Sequence, residues 1–149
     1  MKQAEKLEFR QPAAMFGTRL IGVDVKNMNA LLRRIEKGFP FKTFVRLQQV
    51  MDVPDRALAR IVKIPVRTLA RRKDQGRLTP GESERVLRTA RIVRKAIELF
   101  EEDKEAALRW VFSPVRALDG KSPLDFATTE VGARAVEQLI NRLEHGVYS

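Results

Sequence analysis

Residues 55–76 read DRALARIVKIPVRTLARRKDQG, two short apolar rhythms of helical period separated by Lys63-Ile64-Pro65, and this interruption restricts the fold more than any other stretch of the chain. Pro65 cannot continue the first helix without losing a backbone hydrogen bond, yet its fixed φ suits the opening of the next. Leu58, Ala59 and Val62 are expected to point inward from the first piece, and Val66, Leu69 and Ala70 from the second. The small Ala59 lets the two helices come close. Two short helices crossing steeply over a shared small core make a helix-turn-helix. Lys63 stands where many such turns carry glycine.

The flanking sequence has the same helical punctuation. From Asn27, the residues Met28, Leu31, Leu32 and Ile35 keep the i, i+3, i+4, i+7 spacing of one helix face until Gly38 and Pro40 end it. Phe41, Phe44, Val45, Leu47 and Met51 form a second stripe that stops at Val53-Pro54. Thr79-Pro80-Gly81-Glu82 predicts a strong helix start, with Thr79 as cap, Pro80 in the first helical position and Glu82 closing a capping box. In the long helix that follows, Val86, Ala90, Val93, Ile97 and Phe100 make a seam suited to packing against another helix, and long enough to support a dimer.

Glu101-Glu102-Asp103 interrupts that helix, and a shorter one through Ala106, Ala107, Trp110 and Val111 ends before Ser113-Pro114. Ser122-Pro123-Leu124-Asp125 repeats the capping logic. A last helix runs from about Thr129 to His145-Gly146, with Val131, Ala135, Leu139, Ile140 and Leu143 on one side. Trp110, Phe112 and Phe126 are expected in the core. No useful run alternates as a strand would. The predicted class is all-α: an irregular arm over residues 1–26, a helix-turn-helix region over 27–79, and a helical domain over 80–149 packed with it.

Charge divides the chain along the same line. Residues 1–80 hold 18 Lys and Arg against 7 Asp and Glu, whereas residues 81–149 hold 11 against 12, so the formal net charge of +10 lies in the first part. A basic half joined to a near-neutral half suits a polyanion-binding module attached to something with a different partner. The chain has no cysteine and one histidine, His145, which excludes disulfides, thiolate metal sites and most histidine-based metal or acid–base sets. No nucleophile, base and orienter can be assembled, so no catalytic residue, metal site or cofactor is expected. LDGKSP resembles the end of a phosphate-binding loop, but Val115 stands where its first glycine is needed. No window approaches the roughly 18 apolar residues of a membrane span. The opening MKQAEKLEFRQPAAMFG lacks the apolar run of a secretory signal, so the expected location is the cytoplasm.

If Val66 opens a helix, a rotation of about 100° per residue gathers Val66, Leu69, Ala70 and Lys73 on one side. Thr68, Arg71 and Gln75 then lie opposite, flanked by Arg67 and Arg72. Such a helix fits the major groove of DNA, where arginine can donate two hydrogen bonds to a guanine edge. Base reading is assigned to Arg67, Thr68, Arg71 and Arg72, with Lys73 and Gln75 on the same helix. Arg56, Arg60, Lys63 and Arg77 are assigned to the flanking phosphates.

The ordered segments EKGFP (36–40), TLARRKDQGRLTPGES (68–83), RVLRTARIV (85–93), ALRWVFSP (107–114), LDGKSPLDF (118–126) and GARAVEQLINRLEHGVYS (132–149) resemble antitoxins of the Xre, MbcA and ParS type. The resemblance implies a type II antitoxin that inhibits a cognate toxin carrying the RES domain, which acts on NAD, by covering its active-site cleft. It also implies a helix-turn-helix that represses the operon. Two copies joined along the Val86 to Phe100 seam would present two recognition helices to half-sites about one helical turn apart, so a homodimer on a palindromic operator is expected. The toxin-facing surface is assigned to Arg142, Glu144, His145, Val147 and Tyr148, since arginine and tyrosine are favoured interface anchors. The alternative compatible with the same residues is a stand-alone transcription regulator whose second domain dimerises or senses a ligand.

Overall fold

A computed structural model describes residues 17–146 of the chain. Among them are eight α-helices and two 3-10 turns: α1 Met28–Lys37, α2 Lys42–Met51, α3 Asp55–Ile61, α4 Val66–Gln75, α5 Pro80–Leu99, α6 Lys104–Val111, α7 Pro123–Phe126 and α8 Glu130–Glu144, with the turns at Thr18–Ile21 and Arg116–Leu118. The described residues contain no strand, only an isolated antiparallel bridge between Pro40 and Arg77. The all-α expectation is met.

Most helix starts are written in adjacent side chains. Asn27 Oδ1 accepts from the Ala30 amide at 2.8 Å, Asp103 Oδ1 from Ala106 at 3.1 Å, Ser122 Oγ from Asp125 at 3.2 Å and Thr129 Oγ1 from Gly132 at 3.0 Å. At α5 the capping box is complete: Glu82 donates its amide to Thr79 Oγ1, and the Thr79 amide donates to Glu82 Oε1. Each cap satisfies an amide that the first turn leaves unpaired.

Helix α5 is the axis of the molecule, with α6, α8, α1, α2 and the Thr18–Ile21 turn packed around it. Val86, Ala90, Ile92, Val93 and Ala96 have no exposed surface, so its middle is covered on every side. The seam expected to serve a second copy is therefore filled within the subunit, and offers no face for a dimer. The segment from Gly17, read from the sequence as part of an irregular arm, supplies the buried Ile21 and Val23 to the same core. Gly17 sits at φ +92° against the backbone of Ala90 and Arg91, where a side chain would collide. Residues 1–16 of the expected arm lie outside the described residues.

Outside the helix-turn-helix, three large apolar residues face differently from expectation. Leu32 is 48% exposed, Phe112 41% and Val131 81%, because Leu31 and Ile35, Val111, and Gly132 with Ala133 take the inward positions of their helices. Trp110 is half-buried and packs its ring on Phe100 with centroids 6.2 Å apart.

Candidate nucleic-acid interface

The helix-turn-helix consists of α3 and α4, joined through Val62–Pro65. Leu58, Ala59 and Val62 are buried as expected, and Ile64 from the turn is buried with them. Lys63 adopts φ +56°, the left-handed conformation that glycine takes without a Cβ penalty, so it occupies the turn position where glycine was noted to be usual. Its side chain is left exposed.

Helix α4 is clamped on two sides. Arg72 Nε donates to Glu82 Oε1 at 2.8 Å, tying the middle of α4 to the first turn of α5. Behind its C-terminus, Phe41 donates its amide to the Gly76 carbonyl and Leu78 donates to Phe39, both at 2.9 Å. Arg77 Nη1 donates to the Gly38 carbonyl at 2.7 Å. Gly38 is required here: at φ +85° it lies so close to the Leu78 carbonyl oxygen that any Cβ would collide. The buried Ser83 completes the join, accepting from the Phe39 amide at 2.8 Å and donating to the Thr79 carbonyl at 2.7 Å.

Burial pushes the Glu82 carboxyl up, but hydrogen bonds from Arg72 and the Thr79 amide, with the Arg72 charge, outweigh it and hold the group below the usual carboxylate range. Glu82 is thus an anion at neutral pH and serves both as cap and as anchor for Arg72.

These clamps set the rotation of α4, and it differs from the one expected. Leu69 is buried, Thr68 and Arg72 are half-buried, and Val66, Arg67, Ala70, Arg71, Lys73, Asp74 and Gln75 are exposed. The inward side is centred on Leu69 and Arg72 in place of Val66, Leu69, Ala70 and Lys73, a rotation of roughly one residue, about 100°. Ile64 fills the core position foreseen for Val66, and Val66 itself is 55% exposed.

Arg67, Arg71, Lys73, Arg56, Arg60 and Lys63 make no side-chain hydrogen bond or ion pair among the described residues. Gln75 receives a 3.3 Å hydrogen bond from Arg72. Of the ten residues expected to face DNA, the fold thus holds Arg72 and Arg77 against its own acceptors, turns Thr68 partly inward, and leaves the remaining cations on the surface.

Sequence reading missed Arg85. From α5 its Nε donates to the Val62 carbonyl at 2.6 Å and closes the open end of α3, holding the turn from behind. Nothing in the local spacing marks it. The signal is only that an arginine on α5 lies opposite a helix end.

Residues 30–91 match the model of the antitoxin Xre-like helix-turn-helix domain, and residues 95–146 match that of the antitoxin Xre/MbcA/ParS C-terminal toxin-binding domain. An antitoxin Xre of Yersinia enterocolitica is 38% identical over 132 residues, which covers 88% of this chain and 89% of the relative. One of Photorhabdus laumondii is 34% identical over 124 residues, 83% of this chain and 82% of its own. The chain belongs to the Xre antitoxin family. A third Xre antitoxin, from Pseudomonas putida, is 34% identical over 84 residues, 56% of this chain and 52% of that protein.

In this Xre-family chain the two matches meet inside α5, so a single helix runs from the helix-turn-helix match into the toxin-binding-domain match. No helix among the described residues is long and apolar enough to cross a membrane. At the far end of the Xre/MbcA/ParS domain, Arg142 and Glu144 are exposed in the last turn of α8, and His145 follows as its C-cap. The His145 ring nitrogen Nδ1 lies 2.7 Å from the Asn141 carbonyl, which fits the helix-ending place read for it. Val147 and Tyr148, assigned to the same surface, lie outside the described residues.

Proposed function

We propose that this antitoxin grips its operator through α4 and neutralises a toxin through its C-terminal domain, so that one chain is both repressor and inhibitor. The observation that carries the DNA half is the row of unpaired cations, Arg67, Arg71 and Lys73, on the outward side of a clamped α4. A fixed helix with unspent guanidinium groups donates to base edges and phosphates without further ordering of its backbone, so only the side chains lose freedom on contact. Arg56, Arg60 and Lys63 supply phosphate contacts from the adjoining helix and turn. Arg72 and Arg77 position the reading helix. With about five phosphate contacts per subunit, the log–log dependence of affinity on salt has a slope near −4 to −5. Two copies on a palindromic operator place their recognition helices about one helical turn apart.

The toxin half rests on the toxin-binding match and on the resemblance, which implies a RES-domain partner that consumes NAD. Arg142, Glu144 and His145, continued by Val147 and Tyr148, cover its cleft. Two measurements test the reading together. The purified chain binds its own promoter, and co-expression rescues cells from the product of the adjacent gene. Truncation before α8 is not a clean test, because it removes the buried Val136 and Ile140. Exposed Arg142 and Glu144 are replaced instead. Absence of both promoter binding and rescue overturns the proposal.

A further inference from the structure

The large apolar residues exposed among the described residues are Leu32, Val66, Phe112 and Val131, and Val66 alone lies on α4. It is the first residue of that helix, 55% exposed, next to the unpaired Arg67 and one turn before the exposed Ala70 and Arg71. Nothing in the core calls for it, since Ile64 already fills the position between the two helices with 2% exposure. The outward strip of α4 is therefore a branched apolar group and a methyl group bordered by guanidinium groups.

That combination matches one feature of the DNA major groove. Every base pair there offers donors and acceptors, but thymine alone presents a methyl group, and small apolar side chains recognise it. In helix-turn-helix complexes the N-terminal residues of the second helix approach base edges, and Val66 holds that first position. Its β-branch restricts χ1, so little side-chain freedom is lost on contact. Ala70, one turn further on, lets the helix backbone come close to the groove floor. Asp74 follows on the same strip at the C-terminal end, where a carboxylate opposes approach of a phosphate and sets a boundary to the contact.

We propose that Val66 is a specificity-determining residue that reads the C5 methyl of a thymine in each operator half-site, with Ala70 setting the depth of approach. The proposal rests on the operator-binding reading above and adds to it an apolar component that the arginines cannot supply.

The test uses the full chain and its own promoter fragment, with each thymine replaced singly by deoxyuridine, which removes only the methyl group. The wild type is expected to lose roughly fourfold in affinity at one thymine per half-site, the worth of one buried methyl group. Val66→Ala is expected to bind thymine and uracil at that position alike, while its melting temperature and oligomeric state match the wild type. Equal thymine-to-uracil ratios in wild type and Val66→Ala at every position overturn the proposal. So does a Val66→Ala variant with a clearly lowered melting temperature or a changed oligomeric state, since Val66 would then be a packing or subunit contact. Loss of all promoter binding by the wild type overturns the operator reading as well, and is distinct from binding that ignores the methyl group.

Discussion

Helices α4 and α5 each present a row of arginines, and the rows have opposite fates. On α5, Arg85, Arg88, Arg91 and Arg94 recur every third residue, and each is held by its own chain. Arg85 donates to the Val62 carbonyl, Arg88 to the Thr128 carbonyl and Glu130, Arg91 to Glu130 and Glu137, and Arg94 to Glu102. On α4, Arg67 and Arg71 face outward with no such partner, and only Arg72 is engaged. Residue type does not separate the two rows. What separates them is whether carboxylates or carbonyl groups from another element stand opposite, and that makes one row internal mortar and leaves the other an exposed cationic surface.

The α5 row should dominate stability. Arg91 is 6% exposed and bridges two carboxylates of α8, so Arg91→Ala leaves the half-buried Glu137 without its cation and is expected to cost about 3–5 kcal/mol in urea unfolding. An unchanged midpoint would make this row no different from a solvated one. The same network responds to acid. Burial raises the Glu130 carboxyl, but the charges and hydrogen bonds of Arg91 and Arg88 outweigh it and leave the group below its ordinary range, as for Glu82. A lowered folded-state pKa gives stability that is complete above the unfolded value and is lost as pH falls through the folded one. Stability is therefore expected to hold at neutral pH and to decline below about pH 4, and the Arg91→Ala protein to show a shallower acid loss.

The α4 row should dominate binding. Arg71→Ala is expected to shift stability by no more than about 0.5 kcal/mol, while operator affinity falls by about 1–3 kcal/mol, read by fluorescence anisotropy against operator and random DNA. Equal weakening on both DNAs would assign Arg71 to a phosphate. Arg94→Ala is the control within α5: its partner Glu102 is 60% exposed, so the bidentate pair is worth no more than about 1 kcal/mol in thermal unfolding.

The smallest effect is at Lys63. Relieving its left-handed backbone with Lys63→Gly should stabilise the fold by roughly 0.5–1 kcal/mol and at the same time flatten the salt slope by about 0.9, one phosphate contact. A slope that stays the same would remove Lys63 from the DNA-facing set.

Helix starts were legible because caps act within four residues. Thr79 with Glu82, Ser122 with Pro123, and Thr129 all sit where their local spacing indicates. The rotation of α4 was not legible. Val66, Leu69 and Ala70 are compatible with more than one inward side, and the choice was made by Arg72 reaching Glu82 on another helix and by Ile64 filling the core first. The same limit applies at the ends of the chain's helices, where Val131 keeps the apolar rhythm yet lies in solvent. Residues 17–25 show no period at all, and Ile21 and Val23 are buried only because α2 and α5 offer a place for them.

For this antitoxin, the order of amino acids is enough to set the helical class, the helix-turn-helix, the caps of α5, α7 and α8 and the concentration of positive charge in the first half. These follow from interactions between near neighbours, or from composition alone. Which arginines are used up inside the molecule, which side of α4 faces outward and whether the α5 seam is open to a second copy depend on contacts between residues tens of positions apart. Such contacts exist only after the helices have packed, because a guanidinium group takes whichever acceptor the fold brings to it.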